Sequence, residues 1–288
     1  MNKYIELVDK TLDKYLNPEF PKAIFESMKY TVTLPGKRLR PVMCLESCRM
    51  FGGEIEAALP TACAIEMLHA QSLIHDDLPC MDNDDFRRGK PSNHKVFGEA
   101  IAVLAGDALL SFAPQMIIEN SKLPPDTVLK VIHEFVKSAG AYQLIGGQVA
   151  DILSEEGADI GKPKSEVLEY IHTNKTAVLF KLALKTGAII AGADTEKVNE
   201  MEELGQNFGL AFQIYDDIMD EVSTFEEMGK TLGKDKESGK LTYVSLYGLD
   251  NSRVKVRELI GKSKSIAKKY NSEILDSIFD KIVNKIEG

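Results

Sequence analysis

The run "SLIHDDLPCMDNDDFRRGKP" (72–91) packs Asp76, Asp77, Asp82, Asp84 and Asp85 into ten positions, then adds Arg87, Arg88 and Lys90. Like charges this close repel, and a solvated loop tolerates them at small cost. A divalent cation held by oxygen ligands would give them a chemical purpose, with the basic residues facing an anion on its far side. The apolar pattern before them must end or kink near Leu78, because Pro79 disfavours helix for the residue preceding it. Asp76 and Asp77 therefore crown a helix C-terminus, where the macrodipole is already negative. A second cluster, "QIYDDIMDE", puts Gln213, Asp216 and Asp220 on one helix face. Its i, i+4 aspartates repel by about a few tenths of a kcal/mol, and partial burial raises that cost. An all-oxygen set suits Mg²⁺ or Ca²⁺ rather than zinc. Mg²⁺ favours one or two carboxylates plus phosphate oxygens, so two such clusters facing each other would clamp a diphosphate.

Cations for such an anion are present. Lys37, Arg38 and Arg40 open a helix, whose unpaired N–H groups also attract anions. Lys175 and Thr176 interrupt a long apolar helix, as residues facing a cavity would. Lys230, Lys234 and Lys240 lie in "GKTLGKDKESGK", expected to be a surface loop over 229–240 that could act as a lid. No G-x-x-x-x-G-K-[ST] motif occurs, so this is not a P-loop nucleotide site.

The elements that must position these residues are helices. All eleven prolines fall at or before Pro163, and the chain beyond reads with helical period. Leu204, Phe208, Phe212, Tyr215 and Met219 form one buried stripe. The segment 165–193 is a second long pattern, opened by Ser165 as N-cap and closed near Gly192. Further helices are expected over 3–16, 21–31, 39–50, 55–77, 97–119, 126–153, 240–249, 252–269 and 272–286. Pro60 is expected in a first turn or at a kink. Gly146-Gly147 inside a helical pattern costs about 1 kcal/mol per glycine and suggests close packing or a π-bulge there. No period-2 segment bounded by hairpin turns is evident. The expected fold is all-α, one large helical bundle over residues 1–288.

The net charge of −9 argues against a nucleic-acid binder. Cys44, Cys48, Cys63 and Cys80 show no metal-ligand spacing and read as small core residues in a reducing cytosol. The charged amphipathic start, "MNKYIELVDKTLDKYL", lacks the apolar centre of a signal peptide. No unbroken run of 18 apolar residues occurs, so stable membrane insertion is not expected. A cytoplasmic location is expected.

"GKRLRP", "HDDLPCMDNDDFRRGKPSNHKVFGEAIAVLAGDALL", "GGQVADI", "NKTAVLF", "GLAFQIYDDIMDE" and "GKTLGKD" together resemble the trans-polyprenyl diphosphate synthases. The nearest branch is the short-chain farnesyl and geranylgeranyl diphosphate synthases of bacteria and plastids. The likeness runs from residue 36 to about 245, in the family's order, and departs from it at Val244, where proline is usual. It implies a single polyprenyl synthetase domain, isoprenoid synthase-like, built around a central substrate cavity. It also implies a homodimer and a reaction joining an allylic diphosphate head to tail with isopentenyl diphosphate. Roughly three Mg²⁺ per site, or Mn²⁺ in their place, would be held by Asp76, Asp77 and Asp82 and by Asp216, Asp217 and Asp220. Arg87, Lys175, Lys230 and Lys240 resemble the allylic diphosphate ligands, with Gln213 and Thr176 steadying the charge. Lys37, Arg40, His69 and Arg88 match positions that hold isopentenyl diphosphate.

A growing chain needs an apolar channel. Leu68, Gln71 and Ser72 lie one and two turns before Asp76, each turn adding about 5.4 Å of depth. Farnesyl-forming relatives usually carry an aromatic one turn before the first aspartate, and this chain has none there. The bacterial look of the whole favours farnesyl, with geranylgeranyl as the alternative. Two readings from outside the family compete. Glu66-x-x-His69 and Glu169-x-x-His172 have the spacing of a di-iron carboxylate bundle. A terpene cyclase would share the first acidic motif but has no use for a second diphosphate site.

Overall fold

The computed structural model describes residues 1–17, 20–222 and 240–287. Lys230, Lys234 and nearly all of the 229–240 segment lie outside the described residues; Lys240 lies within them.

The described chain is helical, apart from one small hairpin. The first helix, α1 (Asn2–Tyr15), is amphipathic and buries Val8 and Leu12. Then come α2 (Lys22–Val32) and α3 (Leu39–Met50), in which Pro41 sits in the first turn, where its missing N–H is harmless. The long α4 (Ile55–Asp76) is buried nearly all round, from Ala58 through Ala62, Ile65 and Leu68 to Ile74. Such a helix must lie inside the bundle. Pro60 is inside it rather than in its first turn.

After the acidic loop come α5 (Asn93–Phe97), α6 (Glu99–Asn120), α7 (Pro125–Ala139) and α8 (Leu144–Glu155). The expected helix over 126–153 is thus two helices. Gly140 takes an extended conformation between them (ψ −176°), which no helix can carry. Next are α9 (Lys164–Ile171), a π-helical turn (His172–Ala177) and α10 (Val178–Ile190). The π-turn lies opposite Gly147 rather than at it. A Cβ on Gly147 would stand 2.5 Å from the Lys175 amide nitrogen, so only glycine lets α8 approach so closely.

The chain continues with α11 (Thr195–Val222), α12 (Tyr243–Tyr247), α13 (Leu249–Ala267) and α14 (Glu273–Glu287). The expected 240–249 helix shrinks to α12. Thr242 and Ser245 form a capping box at its start, and Gly248, at φ 80°, ends it.

α4 packs between α3 and α6, α10 between α3 and α11, and α11 against α13. One apolar cluster runs from Val8 to Ile286. Within it Phe180, Phe208 and Phe279 form an aromatic column, with centroids 5.0 and 5.4 Å apart. The predicted stripe on α11 is buried at Leu204, Phe208, Tyr215 and Met219, and Phe212 stacks 5.3 Å from Phe180. Cys44, Cys48 and Cys63 are core residues as expected, but Cys80 is exposed. α6 is long and apolar enough to cross a membrane, although Asp107, Ser111 and Gln115 break its apolar run. Here it packs along α4.

Phe86–Arg87 pairs with Lys90–Pro91 as a short antiparallel hairpin, which the sequence pattern had not suggested. Its turn residues, Arg88 and Gly89, both have positive φ (53° and 74°). That is the geometry of a two-residue hairpin turn, and unusual for arginine.

Candidate active site

The loop after α4 folds back on the helix end. The Asp82 amide donates to the Asp76 carbonyl at 2.9 Å, and Leu78 O accepts from Met81 and Asn83. The residues between Asp77 and Asp82 thus bring Asp82 back beside Asp76. Burial pushes the Asp76 carboxyl up to about 6, helped by Asp82 and Asp77 and opposed by Lys175 and Arg87. Asp77 differs from its neighbour. It is 2% exposed and is gripped by Arg87, which also reaches Asp84 at 3.3 Å.

The second cluster divides the same way. Asp216 and Asp220 are half-buried on α11, while Asp217 is buried. Asp217 accepts from Gln213 Nε2 at 2.9 Å and from the Tyr243 amide at 2.8 Å, and His172 Nε2 stands 3.5 Å away. In each acidic run, then, a buried aspartate, Asp77 or Asp217, is held by protein donors.

Between the banks lies the π-turn. Thr176 donates to Gln213 at 2.5 Å. Lys175 reaches Asp151 of α8 at 2.6 Å. Burial opposes the charge on Lys175, but Asp76 and Asp151 outweigh it and hold the ammonium above its ordinary range. Lys240 converges on the same acid at 3.5 Å and on Glu155 at 3.3 Å. Sequence reasoning missed Asp151, Glu155 and His172 as parts of this site. Asp151 lies within the quoted "GGQVADI", and its burial inside α8 is visible only in three dimensions.

A separate basic pocket forms where α3, α4 and the hairpin meet. Arg88 Nη2 stands 3.4 Å from His69 Nε2, and its Nη1 donates to Leu34 O at 3.4 Å. A Cβ on Gly36 would lie 2.7 Å from Arg88 Nη1, so glycine keeps the guanidinium's place open. Arg40 lies over Phe180 at 4.5 Å. Its buried Nε has no hydrogen-bond partner among the described residues. Burial lowers the Arg40 guanidinium to about 10, with Arg88 adding to the effect while Glu66 and Asp216 oppose it. Burial, then Arg40, Arg88, Arg87 and Arg38, holds His69 far below its ordinary value, so it is neutral. Lys37 is exposed at the same turn. Arg38, expected among the anion-facing cations, is instead structural. It is 4% exposed and bound to Glu66 at 2.7 Å and to Asp9 at 2.8 Å. Glu66 is thereby spent, and Glu169 is exposed on another element, so the two Glu-x-x-His pairs do not converge as a di-iron site.

Comparison with known proteins bears on this arrangement. The polyprenyl synthetase family model matches residues 21–278. The chain belongs to the polyprenyl synthetase family. It is 44% identical over 283 residues to a geranylgeranyl diphosphate synthase of Cyanophora paradoxa, covering 97% of this chain and 93% of that one. It is 46% identical over 260 residues to a dimethylallyltranstransferase of Fischerella ambigua, covering 90% and 74%. The crystal structure of a geranyltranstransferase from Thermotoga maritima matches with a TM-score of 0.81 and 33% identity, covering 99% and 98%. The fold is thus isoprenoid synthase-like, and the protein is a prenyltransferase.

This prenyltransferase family uses divalent metal. Among the described residues no three His, Cys, Asp or Glu side chains form a preassembled cage. The donor set fits a metal that shares its coordination with substrate. It offers carboxylate oxygens on two separated elements, with one acid raised by burial and, less, by its acidic neighbours.

The expected wall residues lie on α4, as the sequence placed them. Leu68 is fully buried, and Ser72 bonds back to His69 O at 2.9 Å. Gln71 is buried and its amide meets His75 Nδ1 at 3.1 Å; His75 in turn reaches Val103 O of α6 at 3.1 Å. Gln71 is therefore one end of a polar bridge between two helices, a role its position in the sequence did not show.

Proposed function

We propose that this prenyltransferase condenses isopentenyl diphosphate head to tail with an allylic diphosphate. The observation that carries the reading is the existence of two cationic centres. Arg87, Lys175 and Lys240 serve the acidic banks, while Arg40, Arg88, neutral His69 and Lys37 form a second pocket. The unpartnered Arg40 Nε in that pocket supports an anion as its missing partner. A prenyl cyclase would need only one such centre.

In this reading Asp76, Asp82, Asp216 and Asp220 face bound divalent ions, with Asp77 and Asp217 as the supports they now are or as further ligands. The ions, about three Mg²⁺ per site with Mn²⁺ able to replace them, supply positive charge to the allylic diphosphate. Arg87, Lys175 and Lys240, with Lys230, add cationic charge as the C–O bond breaks to an allylic cation and pyrophosphate. Lys37, Arg40, His69 and Arg88 hold isopentenyl diphosphate so that its double bond attacks that cation. The resulting cation loses a proton to a pyrophosphate oxygen, so no protein base is required.

Two product lengths fit the wall. The absence of an aromatic at Gln71 and Ser72, and the names of curated relatives, support geranylgeranyl diphosphate. The likeness to the Thermotoga geranyltranstransferase supports farnesyl diphosphate. A homodimer is part of the proposal, supported by exposed apolar residues on α6 and α7 such as Ile118, Leu129 and Val136. A cytoplasmic location is part of the proposal, supported by Cys44, Cys48, Cys63 and Cys80 standing as free thiols.

The test is incubation with isopentenyl diphosphate, Mg²⁺, and dimethylallyl, geranyl or farnesyl diphosphate in turn, with products sized by chromatography. Elongation of at least one starter is expected, and the longest product sets the length. Inertness towards all three starters would overturn the proposal.

A further inference from the structure

Lys175 and Lys240 come from elements far apart in sequence, yet both ammonium groups close on one carboxylate oxygen. Lys175 Nζ stands 2.6 Å, and Lys240 Nζ 3.5 Å, from Asp151 Oδ2. Two like charges brought this near repel, and each lysine opposes the charged state of whatever cation is beside it. Something must hold them together before an anion arrives. Asp151 is 4% exposed and carries the negative charge between them. The two lysines outweigh the burial that would otherwise raise its pKa, so it stays ionised. Its backbone is fixed as well, because α8 is locked to the π-turn at Gly147.

We infer that Asp151 is a positioning residue for diphosphate binding: it gathers the Lys175 and Lys240 ammonium groups at one point. Glu155, 3.3 Å from Lys240, steers that lysine from its outer side. The inference rests on the proposed function, since it takes both lysines to be diphosphate ligands. It differs in sign from simple electrostatics. Deleting a carboxylate beside two lysines should, by charge alone, tighten the binding of an anion. Deleting a positioning residue should loosen it.

The experiment is calorimetric titration of inorganic pyrophosphate into the full chain with metal removed by chelator. Asp151→Asn is expected to weaken binding about tenfold, the size of coupling between residues in one ion-pair network. Asp151→Glu, which keeps the charge, should recover most of the loss. Pyrophosphate binding to Asp151→Asn as tight as, or tighter than, wild type overturns the inference. Should Asp151→Asn fail to fold, Lys175→Met is compared with Lys175→Met/Asp151→Asn, in which the buried pair is removed as a unit. A further loss is expected there because Lys240 has lost its contact with Asp151, and no further loss overturns the inference. Lys175→Met and Lys240→Met separate the two levels. If both bind pyrophosphate like wild type, the diphosphate site itself is misassigned. If both weaken it while Asp151→Asn does not, only the positioning role fails.

Discussion

Thr176 of the π-turn donates its hydroxyl to Gln213 of α11 at 2.5 Å, and Gln213 passes its amide to Asp217 at 2.9 Å. On the π-turn Lys175 and Thr176 serve different partners, the lysine towards α8 and the threonine towards α11. The relay fixes the second acidic bank relative to the cations opposite.

Breaking this relay should therefore disturb chemistry more than folding. Thr176→Val and Gln213→Leu are each expected to lower kcat by about 10- to 100-fold, the range seen when groups supporting metal ligands are lost. Melting temperature should move little, because both side chains are only half-buried. Steady-state kinetics beside thermal melts will separate the two effects. A large drop in melting temperature with normal kcat would make the relay structural.

Asp76 offers a prediction with a definite sign. Its carboxyl is raised from an ordinary 3.8 to about 6, chiefly by burial. Between those values the folded, metal-free protein binds more protons than the unfolded chain. Its contribution to stability is thus full below about pH 4 and lost as pH rises through about 6. Asp76→Asn should stabilise the metal-free protein at pH 8, by on the order of 2 kcal/mol, and hardly at all near pH 4. Turnover should fall about 10²- to 10³-fold in the same variant. Denaturant melts at the two pH values, with chelator present, check the sign. Equal effects at both would show that Asp76 is not held at cost.

Arg38 and Arg40 are two positions apart and should behave oppositely. Arg38→Met leaves Glu66 buried without its partner, and a loss of about 3–5 kcal/mol is expected. Arg40→Met removes a guanidinium whose Nε has no hydrogen-bond partner among the described residues, so stability should change little while KM for isopentenyl diphosphate rises at least about tenfold. Urea melts and a KM series for the two variants decide it. A shared phenotype would contradict the assignment.

At the chain-length wall, Gln71→Tyr puts a ring one turn before the acidic cluster and breaks the amide contact to His75. The variant should hold its product at fifteen carbons. Product sizing by chromatography is the measurement. An unchanged yield of twenty-carbon product relative to wild type would remove Gln71 from the wall.

How far the sequence carried the site can be read from particular residues. Asp76, Asp216 and Lys175 were legible because each violates a local preference: acids at a helix C-terminus, acids four apart, a lysine in an apolar run. The helices were legible because burial of one face imposes period on the side chains, as in the α11 stripe. The divide between α7 and α8 was not, since Gly140 and its neighbours keep an apolar pattern while the backbone leaves helix. Nor was the fate of Arg38. Its sequence neighbours are those of Arg40, and only the opposition of Glu66 across α4 makes one arginine a strut and leaves the other facing the pocket.

The sequence by itself determined which chemistry this chain carries, because charge type and spacing follow from covalent order and need no packing to be read. Tertiary structure alone decided which protein partners those charges meet. It turned Asp77 and Asp217 to protein donors, placed Asp151 under two lysines, and put the π-turn opposite Gly147. The reason is that a charge acts through its distance to other charges, and here those distances are closed by residues tens of positions away.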